Sequence, residues 1–312
     1  MKGQIYILIL SAVGIVNACL AADSPAEVTT SMPSMYRQEL LGFRKHVTFS
    51  NALNFYRIDY TQWKSHDATP PKINFALQYP LEYHNFSRPL GSFFRMTVNG
   101  ISEVSLHPKE EDVALWNDAR TGAAGCDITW NFDGAKLILR WFMRSDSPVL
   151  WLTIKPAPDL LTPIQSAHVK VSVVPSLLAQ TAEKKVLWAG VYGRQVITSA
   201  RIIDQVPKSQ FITLTPDDRY LILQDTKFDG SNGEKGTGPC YMAIDYQGVE
   251  KAVLTLRDEG YAFVDIDLKP DFKTARLGFW QQKDRHSNAE FAKVFNAKRQ
   301  TFEMALDKGG SP

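Results

Sequence analysis

The stretch DITWNFDGAKLILRWFMR, residues 127–144, decides the fold class of this chain. An Asp-Gly pair, Asp133 and Gly134, separates two runs in which apolar and polar residues alternate. Such a pair between alternating runs is the strongest short-range signal for a β-hairpin, because a type I′ turn needs a positive φ at both central residues. The stretch therefore predicts two antiparallel strands joined by a two-residue turn.

This turn fixes which residues of the two strands face each other. On one side of the hairpin every predicted partner is apolar, which is what a sheet packed on a core requires. The predicted pairs on that side are Phe132–Ala135, Trp130–Leu137, Ile128–Leu139 and Cys126–Trp141. The other side sets Asp127 opposite Arg140 and Thr129 opposite Ile138, a mixed surface that we expect to be covered as well.

The rest of the chain repeats the period of two. A third strand, VLWLTIK, follows the hairpin, and further β-like runs occur at short intervals on both sides of it. They are HVTFSNALNFYRIDY, INFALQY, SFFRMTVNGISEVSL, AHVKVSVV, KVLWAGVY, ITSARIID, QFITL, YLILQD, CYMAID, KAVLTL, AFVDIDL and ARLGFW. About fourteen strands with little helical period predict an all-β fold, a large antiparallel β-sandwich or supersandwich.

One segment, residues 287–308, has a helical period instead. Ser287 and Glu290 fit a capping box at its start. Apolar residues then recur at the spacing of one helical face, and they are Phe291, Phe295, Phe302 and Leu306. We expect an amphipathic C-terminal helix packed on the sandwich.

The N-terminus, residues 1–22, has the features of a secretory signal peptide. One positive charge at Lys2 precedes an apolar run and then small residues. We expect export, to the periplasm or beyond the cell, and a lipoprotein anchored through Cys19 is the alternative. Residues 23–44 are predicted to be a polar leader and lead-in, and residues 45–286 the sandwich domain. No later apolar run is long enough to predict a transmembrane segment in the mature chain.

The charge balance counts against a nucleic-acid-binding protein, and the spacing of the cysteines counts against a zinc site. The chain has 35 Lys and Arg against 33 Asp and Glu, a net charge of +2, with no basic stripe for nucleic acid. Signal removal leaves Cys126 and Cys240, which are a disulfide candidate in an oxidising compartment. The alternative is two separate buried thiols. Neither cysteine has a partner at the short spacing of zinc sites, so no metal site is expected from them.

The segment YPLEYHNFSRPLG, residues 79–91, carries the first candidate catalytic residues. Tyr83 and His84 are candidates for proton transfer, and Arg88 is a candidate clamp for an anion. Groups of these kinds serve a uronic-acid lyase, although neighbours on an extended chain point apart. The alternative for His84 is a surface or hydrogen-bonded structural histidine.

The segment HPKEEDVALWNDARTGAAG, residues 107–125, carries candidate substrate-binding residues. Trp116 offers a ring on which a sugar stacks, and Asp118 and Arg120 offer polar contacts. Charged loops are usually only solvated, which is the alternative for both. The sequence has no G-x-S-x-G, H-E-x-x-H, Walker or dinucleotide-binding motif, which excludes the common serine-hydrolase, zincin and nucleotide-binding classes.

The segment DTKFDGSNGEKGTGPC, residues 225–240, looks at first like a calcium loop. Asp225 and Asp229 fit the first and fifth positions of an EF-hand, but Lys227 and Gly236 occupy two positions that need oxygen ligands. We therefore predict a long glycine-rich connection between two strands and no cofactor. A calcium ion at Asp225 and Asp229 is the alternative.

The order of the strands is similar to that of a known family. SFFRMTVNG comes early and is followed by a long aromatic meander, GCDITWNFDGAKLILRWFMRSDSPVLWLTIKP. Over residues 45–282 this pattern resembles the galactose-mutarotase-like β-supersandwich. The resemblance implies a sugar-binding groove on the concave face of one sheet. The histidine and glutamate that mutarotases use there find no matching motif in this sequence, so the resemblance implies the fold rather than the activity.

These features together predict an exported protein that contacts carbohydrate or polysaccharide. One hypothesis is an enzyme of the lyase, epimerase or hydrolase type that uses acid and base side chains without an organic cofactor. The other is a non-catalytic carbohydrate-binding module or a structural protein of the envelope. The surface around Tyr83, His84, Arg88 and Trp116 discriminates between them.

Overall fold

The computed structural model describes most of the chain beyond its N-terminus. The described residues are 25–31, 41–63, 73–78, 93–106, 110–173, 179–180, 186–187, 194–204, 208–226, 228, 238–257, 262–282, 284 and 286–307. They contain β-strands, numbered here along the chain, and one α-helix. The strands are β1 (Glu27–Ser31), β2 (Leu41–Ser50), β3 (Phe55–Trp63), β4 (Ile73–Gln78), β5 (Phe94–Val98), β6 (Ile101–Ser102), β7 (Val113–Asp118), β8 (Ala123–Phe132), β9 (Ala135–Arg144), β10 (Leu150–Pro156), β11 (Ala167–Val173), β12 (Ala179–Gln180), β13 (Val186–Leu187), β14 (Arg194–Thr198), β15 (Ile202–Asp204), β16 (Gln210–Leu214), β17 (Tyr220–Asp225), β18 (Cys240–Asp245), β19 (Val249–Leu256), β20 (Ala262–Leu268) and β21 (Ala275–Gln281), and the helix is α1 (Asn288–Asp307).

The strands form three antiparallel sheets and a separate β12-β13 pair. The large sheet has nine strands in the order β15-β14-β17-β18-β21-β10-β9-β8-β7. The small sheet has six, β16-β19-β20-β11-β5-β6, and the N-terminal sheet has four, β1-β2-β3-β4. This architecture, with its helix near the C-terminus, confirms the predicted all-β sandwich.

The hairpin predicted from the Asp-Gly pair is present as β8 and β9. Asp133 and Gly134 have φ values of 52° and 88°, the positive values that a type I′ turn requires. The register is the predicted one on both sides of the hairpin, including Asp127 opposite Arg140. Strand β10 pairs with β9 and completes the meander.

The core lies between one face of the large sheet, called here the inner face, and the two smaller sheets. Trp130 and Trp141 point inward from β8 and β9 and are buried. The ring centroid of Phe94, on the small sheet, lies 6.1 Å from that of Trp130 and 5.9 Å from that of Trp141. The N-terminal sheet adds apolar residues to the same cluster. Each large apolar side chain buried in this way stabilises the fold by about 1.5–3 kcal/mol.

Helix α1 covers part of the opposite, outer face of the large sheet. It begins with the predicted capping box, because the Ser287 N–H donates to Glu290 Oε2 at 2.8 Å and the Glu290 N–H donates back to Ser287 Oγ at 3.3 Å. Phe291, Phe295 and Phe302 form one stripe and are buried against the sheet, as predicted. In the described part of the chain, no helix combines the length and the apolar character that a membrane crossing needs.

The structure differs from the predicted strand pattern in two details. The predicted polar leader, residues 23–44, contains β1, which pairs along its length with β2. The run ITSARIID forms two strands, β14 and β15, rather than one. The Thr198 hydroxyl accepts the N–H groups of Ala200 and Arg201, at 3.0 and 2.9 Å, and this side-chain-to-backbone bonding turns the chain inside an otherwise β-like run.

The turn at Gly134 offers a direct test of the hairpin. An added Cβ there would lie 2.6 Å from Thr162 Oγ1, and the φ of 88° is strained for any residue that has a Cβ. We expect Gly134→Ala to lower the free energy of unfolding by about 1–2 kcal/mol in urea titrations. Thr162→Ala removes the contact, so a loss that persists in the double variant, relative to Thr162→Ala alone, measures backbone strain. If Gly134→Ala leaves the free energy of unfolding unchanged both in the unmodified chain and in Thr162→Ala, the turn geometry is contradicted.

The outer surface of the small sheet holds a histidine between two carboxylates. His168 Nδ1 lies 2.8 Å from Asp267 Oδ1, and its Nε2 lies 3.2 Å from Asp265 Oδ1. Lys170 also contacts Asp265, at 3.2 Å. A neutral imidazole carries one N–H, whereas the protonated ring donates to both carboxylates. The hydrogen bond to Asp265, and then that to Asp267, outweigh partial burial and raise the pKa of His168.

His168 should make stability depend on pH. Because its pKa in the folded protein lies above the unfolded value of 6.5, the stabilisation is complete below that value and is lost as the pH rises through the folded pKa. We expect His168→Gln to lower the thermal midpoint at about pH 5 and to change it little at about pH 9. Lys251→Gln, an exposed change opposite Asp267, is the control and should show no such difference. A loss of equal size at both pH values would contradict the stabilisation of protonated His168 by Asp265 and Asp267.

Candidate functional site: the outer face of the large sheet

A row of polar side chains crosses the outer face of the large sheet. Successive strand pairs place Asp127 opposite Arg140, Arg140 opposite Thr153, Thr153 opposite Arg276, and Arg276 opposite Asp245. Side chains at paired positions of neighbouring strands point to the same side of a sheet. The row and Trp116 on the edge strand β7 are together called the outer strip. Its residues are Trp116, Asp127, Arg140, Thr153, Arg276 and Asp245.

Three residues at one end of the strip form a compact cluster. Arg140 donates from Nε and from one terminal nitrogen to the two carboxylate oxygens of Asp127, at 2.8 and 2.7 Å. The Trp116 indole N–H donates to Asp127 Oδ1 at 3.0 Å, and the Arg140 guanidinium carbon lies 5.0 Å from the centroid of the Trp116 ring. The bidentate bond to Asp127 raises the pKa of Arg140. Carboxylate, guanidinium and indole thus hold one another in a single arrangement.

Glycine makes room for the indole to lie flat on the sheet. Gly125 is the cross-strand partner of Trp116, and a Cβ at Gly125 would lie 2.6 Å from Trp116 Cζ2. A second glycine on β21 makes the same kind of close contact, because a Cβ at Gly278 would lie 2.8 Å from the Trp151 ring. A glycine inside a strand commonly marks such a close approach. Both indoles therefore lie close against the backbone of the sheet.

The other end of the strip is more deeply buried. Arg276 is 6% exposed, and one of its terminal nitrogens lies 3.8 Å from Asp245 Oδ2. Burial lowers the pKa of Arg276, and the Asp245 carboxylate acts in the opposite direction. Asp245 also accepts the N–H of Gln247 at 3.0 Å, which holds its carboxylate at the end of β18. Thr153 lies between the two arginines and is 8% exposed.

Of the predicted substrate-binding residues, only Trp116 belongs to the strip. Asp118 lies on the same strand, but its carboxylate accepts the Arg120 N–H at 3.0 Å and shapes the turn after β7. Hydrogen bonding from Thr121 lowers the pKa of this exposed carboxyl. The Arg120 side chain is 85% exposed and lies 3.9 Å from Asp118. The two residues thus contact each other at the end of β7, and their role in substrate binding stays a prediction.

The predicted catalytic residues Tyr83, His84 and Arg88 lie outside the described residues. Asp229 lies outside them too, so the calcium alternative at Asp225 and Asp229 stays a prediction. Within the described ranges, no group of three or more histidine, cysteine, aspartate or glutamate side chains is arranged to hold a metal ion.

The connection after Asp225 joins two paired strands, as predicted. Strands β17 and β18 are antiparallel neighbours, and Asp225 is buried at the end of β17. Its cross-strand partner is Arg194, whose pKa burial lowers to about 10. The backbone carbonyl of Asp225 accepts Asn288 Nδ2 at 2.6 Å. Asp225 is therefore part of the sheet and of the contact with helix α1.

The candidate disulfide between Cys126 and Cys240 is not formed. The two are separate thiols, both fully buried. They lie on β8 and β18, which β9, β10 and β21 separate in the large sheet. Four strand spacings put the two strands about 19 Å apart, whereas a disulfide needs α-carbons within about 7 Å. Their separation follows from the strand order, which no local pattern reveals.

Sequence reasoning found one end of the strip and missed the other. The hairpin register already set Asp127 opposite Arg140, because both residues flank one turn. Thr153, Arg276 and Asp245 join them only through the order β9-β10-β21-β18. The one available signal was a polar residue at an outward position of each predicted strand.

Comparisons with known proteins give matches only among solved structures. No protein-family model matches the sequence, and no curated protein matches it. The chain is similar to the α-N-acetylgalactosaminidase NagBb from Bifidobacterium bifidum, with 8% identity and a TM-score of 0.43 over 89% of this chain and 38% of that one. A GH36 α-galactosidase from Geobacillus stearothermophilus matches with 11% identity and a TM-score of 0.34 over 83% of this chain and 41% of the other. A TPR-domain protein from Parabacteroides distasonis matches with 8% identity and a TM-score of 0.37 over 77% and 47%.

The chain spans 38–47% of the length of these three structures. Two of the three are glycosidases by name. TM-scores this low do not establish a shared fold. The sandwich assignment therefore rests on the sheets themselves.

Proposed function

We propose that the protein binds neutral carbohydrate on the outer strip. The observation that carries the proposal is the cluster of Trp116, Asp127 and Arg140, an aromatic ring beside a fixed charged pair on a sheet face that does not enclose the core. Ligand sites combine aromatic surface with a few polar groups held in place. Sugars present both kinds of surface, with apolar C–H faces and hydroxyl edges.

The cluster keeps hydrogen-bonding capacity for a ligand. A guanidinium has five N–H donors, and Arg140 gives two of them to Asp127, which leaves three. The Arg140 side chain is 27% exposed, so these donors are within reach of a ligand. Thr153 adds a hydroxyl on the same face of the sheet, between the two arginines. A sugar would meet the stacked guanidinium and the exposed part of the indole together.

The charge of the strip favours a neutral ligand. Its two arginines face two aspartates, and each cation lies next to one anion. A polyanionic sugar would have to compete with Asp127 for Arg140 and with Asp245 for Arg276. A neutral, hydroxyl-rich chain binds without breaking either pair.

The same residues do not support hydrolysis by paired carboxylates. Glycosidases place two carboxyl groups roughly 5–10 Å apart across the scissile bond. Asp127 and Asp245 lie four strand spacings apart, about 19 Å. The strip therefore supports binding, and catalysis through Tyr83, His84 and Arg88 stays a prediction.

The proposed place of action is outside the cytoplasm. The basis is the sequence of residues 1–22, with its single charge, apolar run and small residues. A lipid anchor at Cys19 remains the alternative. The proposed binding needs no cofactor and no nucleic acid.

Trp116→Ala tests the binding surface. We expect about tenfold weaker retardation in affinity gels that contain neutral polysaccharides, because truncating a stacking indole typically costs more than 1 kcal/mol. Arg140→Lys keeps the charge but loses the planar fork, and we expect a smaller loss. Leu115→Ala is the matched control, since Leu115 is the exposed neighbour on the other side of β7. Equal retardation of the Trp116 and Leu115 variants would contradict the proposal.

A separate assay addresses catalysis. The mature protein is incubated with acidic and neutral polysaccharides, and unsaturated products and reducing ends are followed. Binding without turnover is the result expected from the strip. Turnover that disappears in His84→Ala, while retardation in gels is retained, would instead support the acid–base hypothesis. Turnover that survives in His84→Ala would remove His84 from that role.

A further inference from the structure

The outer strip continues beneath helix α1 as an aromatic floor. Phe142 and Trp151 belong to the same buried cluster as the residues under the helix, and Trp116 packs at its margin, 6.1 Å from Phe142 between ring centroids. The part of this surface that the helix covers is called here the aromatic floor, and its residues are Tyr220, Tyr241 and Trp280. One continuous aromatic cluster thus runs from the half-buried Trp116 through the buried Phe142 and Trp151 to the rings under the helix.

The helix lies on this floor through a single stripe of rings. Phe291 stacks on Trp280 at 4.6 Å, and Phe295 lies 5.2 Å from Tyr220, centroid to centroid. Phe302 contacts both Tyr241, at 5.5 Å, and Trp280. The other described positions between the phenylalanines are exposed or half-buried. These contacts are ring on ring, the type of contact that a sugar face can replace.

The contact between helix and floor leaves buried polar atoms without hydrogen bonds. The Tyr241 hydroxyl, both amide atoms of Gln282 and Asn288 Oδ1 have no partner among the described residues. Tyr241 lies in the floor, Gln282 follows β21 two residues beyond Trp280, and Asn288 begins the helix. Such groups are rare in folded proteins, and each one offsets part of the stability gained from apolar contact. The Tyr241 hydroxyl, whose ring lies under Phe295 and Phe302, would be satisfied by water or by ligand hydroxyls if that part of the helix moved away.

The helix is tied to the sheet at its N-terminal end. Asn288 Nδ2 donates to the carbonyl of Asp225 at 2.6 Å, and the capping box closes the first turn. A Cβ at Gly238 would lie 2.2 Å from the His286 carbonyl oxygen, so the chain just before the helix packs closely on the segment that leads into β18. Displacement would therefore lift the part that carries Phe295 and Phe302 while the first turn stays attached.

We propose that α1 is a displaceable cover, and that the aromatic floor is a second sugar-stacking surface continuous with the outer strip. This inference rests on the proposed function, because the ligand is the same neutral carbohydrate. A short oligosaccharide occupies the strip alone, whereas a longer one lifts the part of the helix beyond its first turn and extends over Tyr241, Tyr220 and the side of Trp280 that Phe302 covers. The helix then selects for ligand length.

Two opposite variants test the cover in the full chain. Phe295→Ala removes one ring of the stripe and should raise amide hydrogen exchange in α1. If the open fraction rises about tenfold, binding of long oligosaccharides should tighten by a similar factor, because apparent affinity scales with the competent fraction. Tyr241→Phe removes the unsatisfied hydroxyl and keeps the ring, so we expect slower exchange in α1 and weaker binding of long ligands. Thr301→Ala, on the exposed face of the helix, is the control.

The ligands are neutral β-linked glucose oligosaccharides of two and of six or more units, with binding measured by calorimetry. Opposite shifts in the two variants for the long ligand, with the short one unchanged, support the cover. Altered exchange with unchanged binding of the long ligand overturns the cover and leaves the proposed function standing. Exchange in Tyr241→Phe equal to that of the unmodified chain also overturns it, and this variant does not depend on Phe295→Ala folding. Absence of binding by every protein contradicts the proposed function itself.

Discussion

The two-residue turn at Asp133 and Gly134 decides which side chains of β8 and β9 point to each face of the large sheet. The composition of both faces depends on that choice. With this turn, Trp130 and Trp141 enter the core, while Asp127 and Arg140 reach the outer face. A slip of β9 by one residue would turn Arg140 into the core, away from Asp127, and would move Trp141 to the opposite face. Burying a charge without its partner costs several kcal/mol, so the alternative register is strongly disfavoured.

The outer face of the large sheet combines two kinds of surface. At the β7 edge, polar groups are paired with one another, and a glycine allows an indole to lie against the backbone. Towards β17, the surface is aromatic and helix α1 covers it. The first surface keeps donors for a ligand because a guanidinium has more N–H groups than one carboxylate can accept. The second stays dry because three phenylalanines exclude water from it. The buried rings of Phe142 and Trp151 lie at the boundary between the two surfaces.

The parts of the site that were predictable are those specified by short stretches of chain. Asp127 and Arg140 flank one turn, and the capping box of Ser287 and Glu290 spans three residues, so residue type and spacing are enough to predict both. Whether Cys126 pairs with Cys240 stayed open for the opposite reason, since it depended on the distance between two strands far apart in sequence. Trp116 was predicted as a binding residue from its residue type. Its actual role as a partner of Asp127 depends on how β7 pairs with β8.

The sequence by itself determined the period of the strands, the turn, the faces of the hairpin and the helix with its stripe of phenylalanines. These follow from local steric limits on φ and from the alternation of side chains along a strand. Only the tertiary structure decided that β10, β21 and β18 lie in that order, and so that Thr153, Arg276 and Asp245 extend the row begun by Asp127 and Arg140. Strand order is set by the best burial of whole faces against one another, a property of all the strands together that no single segment carries.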